Sequence, residues 1–105
     1  MHPLKVYKAS AGSGKTFTLS VEYIKLLIAD PYVYKHILAV TFTNKATAEM
    51  KTRILSQLYG IAHSLTESDV YYNEIANSEE SKKGHWTETF IRERASMALS
   101  LITHD

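Results

Sequence analysis

A chain of 105 residues with 45% hydrophobic and 22% charged side chains has the makeup of a small folded domain, or part of one, and is too apolar to stay disordered. It contains no cysteine, which excludes disulfides, zinc–thiolate sites and thiol nucleophiles. The net charge of +1 hides an asymmetry: residues 1–63 carry eight basic and three acidic side chains, net +5, and residues 64–105 carry four and eight, net −4. A basic half can attract a polyanion, although a solvated surface of mixed charge accounts for the same count.

Residues 4–9 alternate, with Leu4 and Val6 apolar, and read as a strand. The Gly/Ser stretch at 10–14 reads as a turn, and residues 15–29 as a largely buried helix with Phe17, Leu19, Val21, Ile24, Leu27 and Ile28 apolar. Asp30-Pro31 ends it, because proline cannot continue the hydrogen-bond ladder. The uncharged run 37–43, rich in β-branched and aromatic residues, reads as a buried parallel strand. Ala46, Met50, Ile54, Leu58 and Ile61 then form the stripe of a second helix. Strand, helix, strand and helix in succession give an α/β fold with one βαβ unit.

After Ala62 the texture turns polar and acidic. Residues 70–76 can form a short helix, residues 78–84 read as an exposed loop, and residues 86–103 as an amphipathic helix with Trp86, Phe90, Ile91, Ala95, Ala98, Leu101 and Ile102 apolar. No strand is expected in the last forty or so residues, so a complete parallel sheet cannot be assembled; the expectation is a piece of a longer protein.

The chemistry is carried by Ala9-Ser10-Ala11-Gly12-Ser13-Gly14-Lys15-Thr16. Glycines let the backbone curl so that successive N–H groups face phosphate oxygens, and the helix behind them adds its positive dipole end. Ala11, Gly12, Ser13, Gly14, Lys15 and Thr16 are the candidate nucleotide-binding residues. Lys15 supplies a charge for the β- and γ-phosphates, and the Thr16 hydroxyl a ligand for Mg²⁺. Lys15 and Thr16 are also the catalytic candidates, with ATP and Mg²⁺ as the implied cofactors. Ala9 stands where the pattern usually opens with glycine, which is acceptable while φ stays negative there. The bland alternative is a helix-start turn that binds nothing.

With that loop followed by Thr41-Phe42-Thr43-Asn44-Lys45-Ala46, the chain resembles motifs I and Ia of the UvrD/Rep helicases of superfamily 1, most of all their RecB/AddA helicase–nuclease branch. The resemblance is close over residues 4–62, weaker over 86–104 and absent between. It implies a partial RecA-like P-loop domain over 1–62, followed by a truncated helical insertion over 63–105, the start of a 1B-like region. It also implies an ATP-dependent DNA helicase or translocase of DNA repair and recombination. Thr41, Phe42, Thr43, Asn44 and Lys45 would face single-stranded DNA within a larger duplex substrate. Phe42 would offer a stacking surface and Lys45 a phosphate contact; without the resemblance, Phe42 reads more readily as a core side chain of the sheet.

The same resemblance implies partner subunits of a helicase–nuclease complex and a bacterial, nucleoid-associated cytoplasmic location. Apolar runs such as 26–29 and 37–40 are too short to span a bilayer. The family's upstream adenine-reading glutamine has no counterpart before the loop, and no apolar strand ends in Asp-Glu; the doublet Glu79-Glu80 reads as solvated. The five histidines show no metal-site spacing. A nucleoside or small-molecule kinase also uses such a loop but leaves the Thr-Phe-Thr-Asn-Lys segment unexplained, and a non-catalytic nucleotide-binding module is the third reading. An uncovered strand at 37–43, or the helix at 86–103, is expected to promote self-association.

Overall fold

The computed structural model describes residues 11–32, 36 and 45–103, with the backbone alone at 11–15, 46 and 47. Helix α1 spans Ala11–Ala29 and α2 spans Lys45–Ala62. A 3₁₀ turn at Thr66–Ser68 leads into α3, Asp69–Ala76, then α4, Glu79–Gly84, and α5, Glu88–Thr103. Among the described residues there is no strand. The α/β expectation is therefore corrected: what is described is a helical bundle, and the segments 4–9 and 37–43 on which a sheet was expected lie outside it.

The reason is visible in the packing. Val21, Ile24, Leu27 and Ile28 of α1, Ile54, Leu58 and Ile61 of α2, Tyr71 and Ile75 of α3, and Ile91, Ala95 and Ala98 of α5 form one buried cluster. Each set recurs at helical spacing and is covered by the others, so among the described residues the core closes helix on helix. Helix α5 packs most extensively on α2 and also on α1, and α3 bridges both. The stripes expected on α2 and α5 are thus borne out. Helix α1 is less buried than expected, with Leu19 at 42% and Leu26 at 39% exposure on its outer side.

Two local expectations change. The turn at 10–14 gives way to helix from Ala11 onward, since Gly and Ser tolerate a first helical turn. The loop at 78–84 is helix α4. Ser78 caps it, accepting from the Ser81 N–H at 3.3 Å, Glu79 and Glu80 stand in its first turn and Lys82 and Lys83 in its last. Those charges complement the helix dipole. Helix α5 starts two residues later than expected, because Thr87 Oγ1 accepts from the Phe90 N–H at 3.1 Å.

Both α2 and α4 end in a left-handed residue that is not glycine, Ser64 at φ 58° and His85 at φ 55°. Leu65 N–H donates to Gly60 O at 2.9 Å and Trp86 N–H to Ser81 O at 3.0 Å, so each end turns back in a Schellman arrangement.

Candidate functional site

Residues Ala11 to Thr16, expected to form a phosphate-binding loop, make up the first turn and a half of α1. An α-helix leaves its first N–H groups without internal acceptors, and they carry the positive end of its dipole. No acidic residue stands in the first turn of α1 or of α2. Both N-termini are therefore electrostatically suited to an anion, α1 behind the loop and α2 behind the Thr-Phe-Thr-Asn run. Lys45 opens α2 and is exposed. Thr41, Phe42, Thr43 and Asn44 lie outside the described residues.

Immediately after Thr16, Phe17 meets Tyr71 of α3 edge to face, with ring centroids 4.8 Å apart. The Tyr71 hydroxyl accepts from Arg53 of α2 at 3.4 Å. The chain Phe17–Tyr71–Arg53 thus connects the loop helix to α2 through α3, a role that the sequence pattern assigns to none of the three. The aromatic at the first position of the buried pair 71 and 75 was the available signal.

Beside α1 runs a cleft of about 370 Å³, lined by Phe17, Thr18, Val21, Glu22, Lys25, Glu74, Asn77, Ser78, Glu79 and Glu80. Four carboxylates against one lysine make it a poor place for phosphate. Lys25 Nζ lies 2.9 Å from Glu22 and 3.0 Å from Glu80. Burial pulls this ammonium down, but the hydrogen bonds to Glu22 and Glu80 outweigh it and hold its pKa above the ordinary lysine value. Glu80 is held below the ordinary glutamate range by its own backbone N–H and then by Lys25. Glu80 is thus tied to α1 from the first turn of α4, and both Glu79 and Glu80 are exposed, as expected.

Among the described residues, no group of three His, Asp or Glu side chains comes together to hold a metal. None of the described helices is long and apolar enough to cross a membrane.

The family model of the UvrD/REP helicase N-terminal domain matches residues 2–99. The RecBCD enzyme subunit RecB of Buchnera aphidicola is 36% identical over 96 residues, covering 77% of this chain and 8% of that protein. The same subunit from Escherichia coli is 40% identical over 63 residues, 52% of this chain and 5% of that protein. The ATP-dependent DNA helicase Rep of Escherichia coli is 50% identical over 46 residues, 44% of this chain and 7% of that protein. The chain thus spans less than a tenth of the length of these curated relatives. No solved structure gives a significant match. With the family model covering nearly all of its length, the chain belongs to the UvrD/REP helicase N-terminal domain family.

Proposed function

We propose that this chain supplies the nucleotide-gripping loop and the first DNA-gripping motif of an ATP-dependent DNA translocase, in the manner of the RecB and Rep proteins it resembles. The observation that carries the reading is the placement of Gly12-Ser13-Gly14-Lys15-Thr16 at the start of α1, a helix with no acid in its first turn. Residues 1–62 form the gripping part and residues 63–105 the helical insertion. The N–H groups of Gly12 to Thr16 hold phosphate oxygens, Lys15 neutralises the β- and γ-phosphates, and the Thr16 hydroxyl ligates Mg²⁺. The ion, when bound, offsets charge on the transferred phosphoryl group. Thr41, Phe42, Thr43, Asn44 and Lys45 hold single-stranded DNA, Phe42 by stacking and Lys45 by its charge beside the N-terminus of α2. Its setting is a multi-subunit helicase–nuclease complex on cytoplasmic, nucleoid-associated duplex DNA.

The test uses a RecB-like enzyme carrying this segment. Lys15→Ala is expected to abolish ATP hydrolysis, because the phosphates lose the loop's cation. Phe42→Ala is expected to lower DNA-stimulated turnover while leaving nucleotide affinity within about twofold, since stacking is worth ~1–3 kcal/mol on the DNA side alone. Near-normal hydrolysis by the Lys15 variant would sink the nucleotide assignment, and unaltered DNA stimulation in the Phe42 variant would return that ring to the core.

A further inference from the structure

We infer that α5 is a strut that fixes the separation of the phosphate-loop helix from the helix behind the DNA motif, with Arg92 and Arg94 as its two positioning residues. Two residues apart on a helix, their side chains leave α5 about 200° apart. Arg92 Nη1 donates to Ile61 O at 2.7 Å. Arg94 Nη1 donates to Ile28 O and Ala29 O, both at 3.2 Å. These carbonyls lie in the last turns of α2 and α1, where the regular helical donors run out (Ile61 O has only the Ser64 N–H, at 3.4 Å, from the backbone) and a helix carries the negative end of its dipole. Neither α1 nor α2 has a basic residue in its own last turn. Both C-termini take a cation from α5 instead.

Each guanidinium is itself held. Arg92 Nε lies 2.9 Å from the Glu88 carboxylate, and its carbon stands 4.4 Å from the centre of the Tyr72 ring. The Arg94 guanidinium carbon stands 4.7 Å from the centre of the Phe90 ring. Ala95 and Ala98 are fully buried, so small side chains bring the α5 backbone close to its neighbours.

The functional ends lie at the opposite poles of α1 and α2. With 1.5 Å of rise per residue both helices are roughly 27–28 Å long, so a 10° tilt about a C-terminal pin moves an N-terminus by about 5 Å. A loop and a DNA motif that must act together cannot tolerate such play. The functional consequence rests on the nucleotide and DNA reading above, whereas the bracing of α1 and α2 by α5 does not.

The absence of cysteine from the sequence allows Leu19→Cys and Ala48→Cys, both at exposed positions, to be spin-labelled without competition. Pulsed dipolar spectroscopy should give one narrow distance distribution for this pair, and Arg92→Gln with Arg94→Gln should broaden or shift it by several ångströms while far-ultraviolet helicity is kept. An unchanged distribution in a helical double variant overturns the strut. If that variant loses helicity, Arg92→Lys with Arg94→Lys, which keeps the charge but not the planar fork, should broaden the distribution partially, and no change there overturns it equally.

In a helicase carrying the segment, the double Gln variant should raise the DNA concentration for half-maximal ATPase stimulation several-fold, with DNA-independent turnover within about twofold. A parallel fall of both would mark a merely structural role and overturn the positioning role. The label distances do not depend on nucleotide binding, so failure of the nucleotide reading and failure of the strut are told apart.

Discussion

Single positions show how closely the parts fit. Gly60 sits where the 3₁₀ turn crosses α2: a Cβ added there would come 1.8 Å from Ser68 Oγ and 2.8 Å from Ser68 Cβ. Ser68 is buried, and its hydroxyl donates to Gln57 Oε1 at 2.8 Å, so it cannot swing away without leaving that acceptor unpaired. Gly60→Ala is therefore expected to destabilise the fold by about 1–3 kcal/mol, the usual cost of overpacking. Urea unfolding measures it, and a gain in stability would show that the turn yields more freely than this contact implies. In the sequence Gly60 is only one residue inside a helical stripe, where its absent side chain gives no hint of what approaches it.

At the scale of elements, the ion pair between α1 and α4 makes a pH prediction. Glu80 has a lowered pKa in the fold, so its contribution is fully present above the ordinary glutamate range and is lost as pH falls through the folded value. Lys25 is raised, so its contribution is present below the ordinary lysine value and is lost only as pH rises past the folded one. Between those limits stability should be flat with respect to this pair. Glu80→Gln should remove part of the acid-side slope, by under about 1 kcal/mol because Glu80 is 49% exposed and screened. Thermal melts from pH 3 to 7 that superimpose for both proteins would refute the contribution.

The helix holding Glu80 is legible in principle from Ser78, two acids and then two lysines, a capped and dipole-matched sequence. It reads as a loop because residues 78–84 offer no apolar stripe. The stripes of α2 and α5 are legible for the converse reason, as Ile54, Leu58, Ile61, Ile91, Ala95 and Ala98 recur at helical spacing and are all buried. Helix α1 misleads in part, since apolar character nearly all round it suggests complete burial, whereas Leu19 and Leu26 remain outside the cluster.

For the molecule as a whole, the family is legible because it is carried by a few residue types at fixed spacing. The contacts of α1 and α2 are not, because Phe17–Tyr71, Arg94 with Ile28 and Arg92 with Ile61 join residues distant in the chain by side-chain reach that no periodicity encodes. The helix at 86–103, one of the two expected routes to self-association, packs on α1 and α2; the other, at 37–43, lies outside the described residues.

One buried cluster shared by α1, α2, α3 and α5 should unfold as a unit. Leu58→Ala, at its centre, is expected to cost about 2–5 kcal/mol and to lower hydrogen-exchange protection in all four helices together. Protection lost in α2 alone would contradict a single cooperative core.

The capping of α1 from α5 has a consequence during synthesis. Ile28 and Arg94 are 66 residues apart, so at 5–20 residues per second a ribosome takes roughly 3–13 s to make the second after the first. Throughout that interval the apolar side of α1 has no α5 to cover it. Ile24, Leu27 and Ile28 are then open to holding chaperones or to other nascent chains, and slow codons between α1 and α5 would lengthen the exposure.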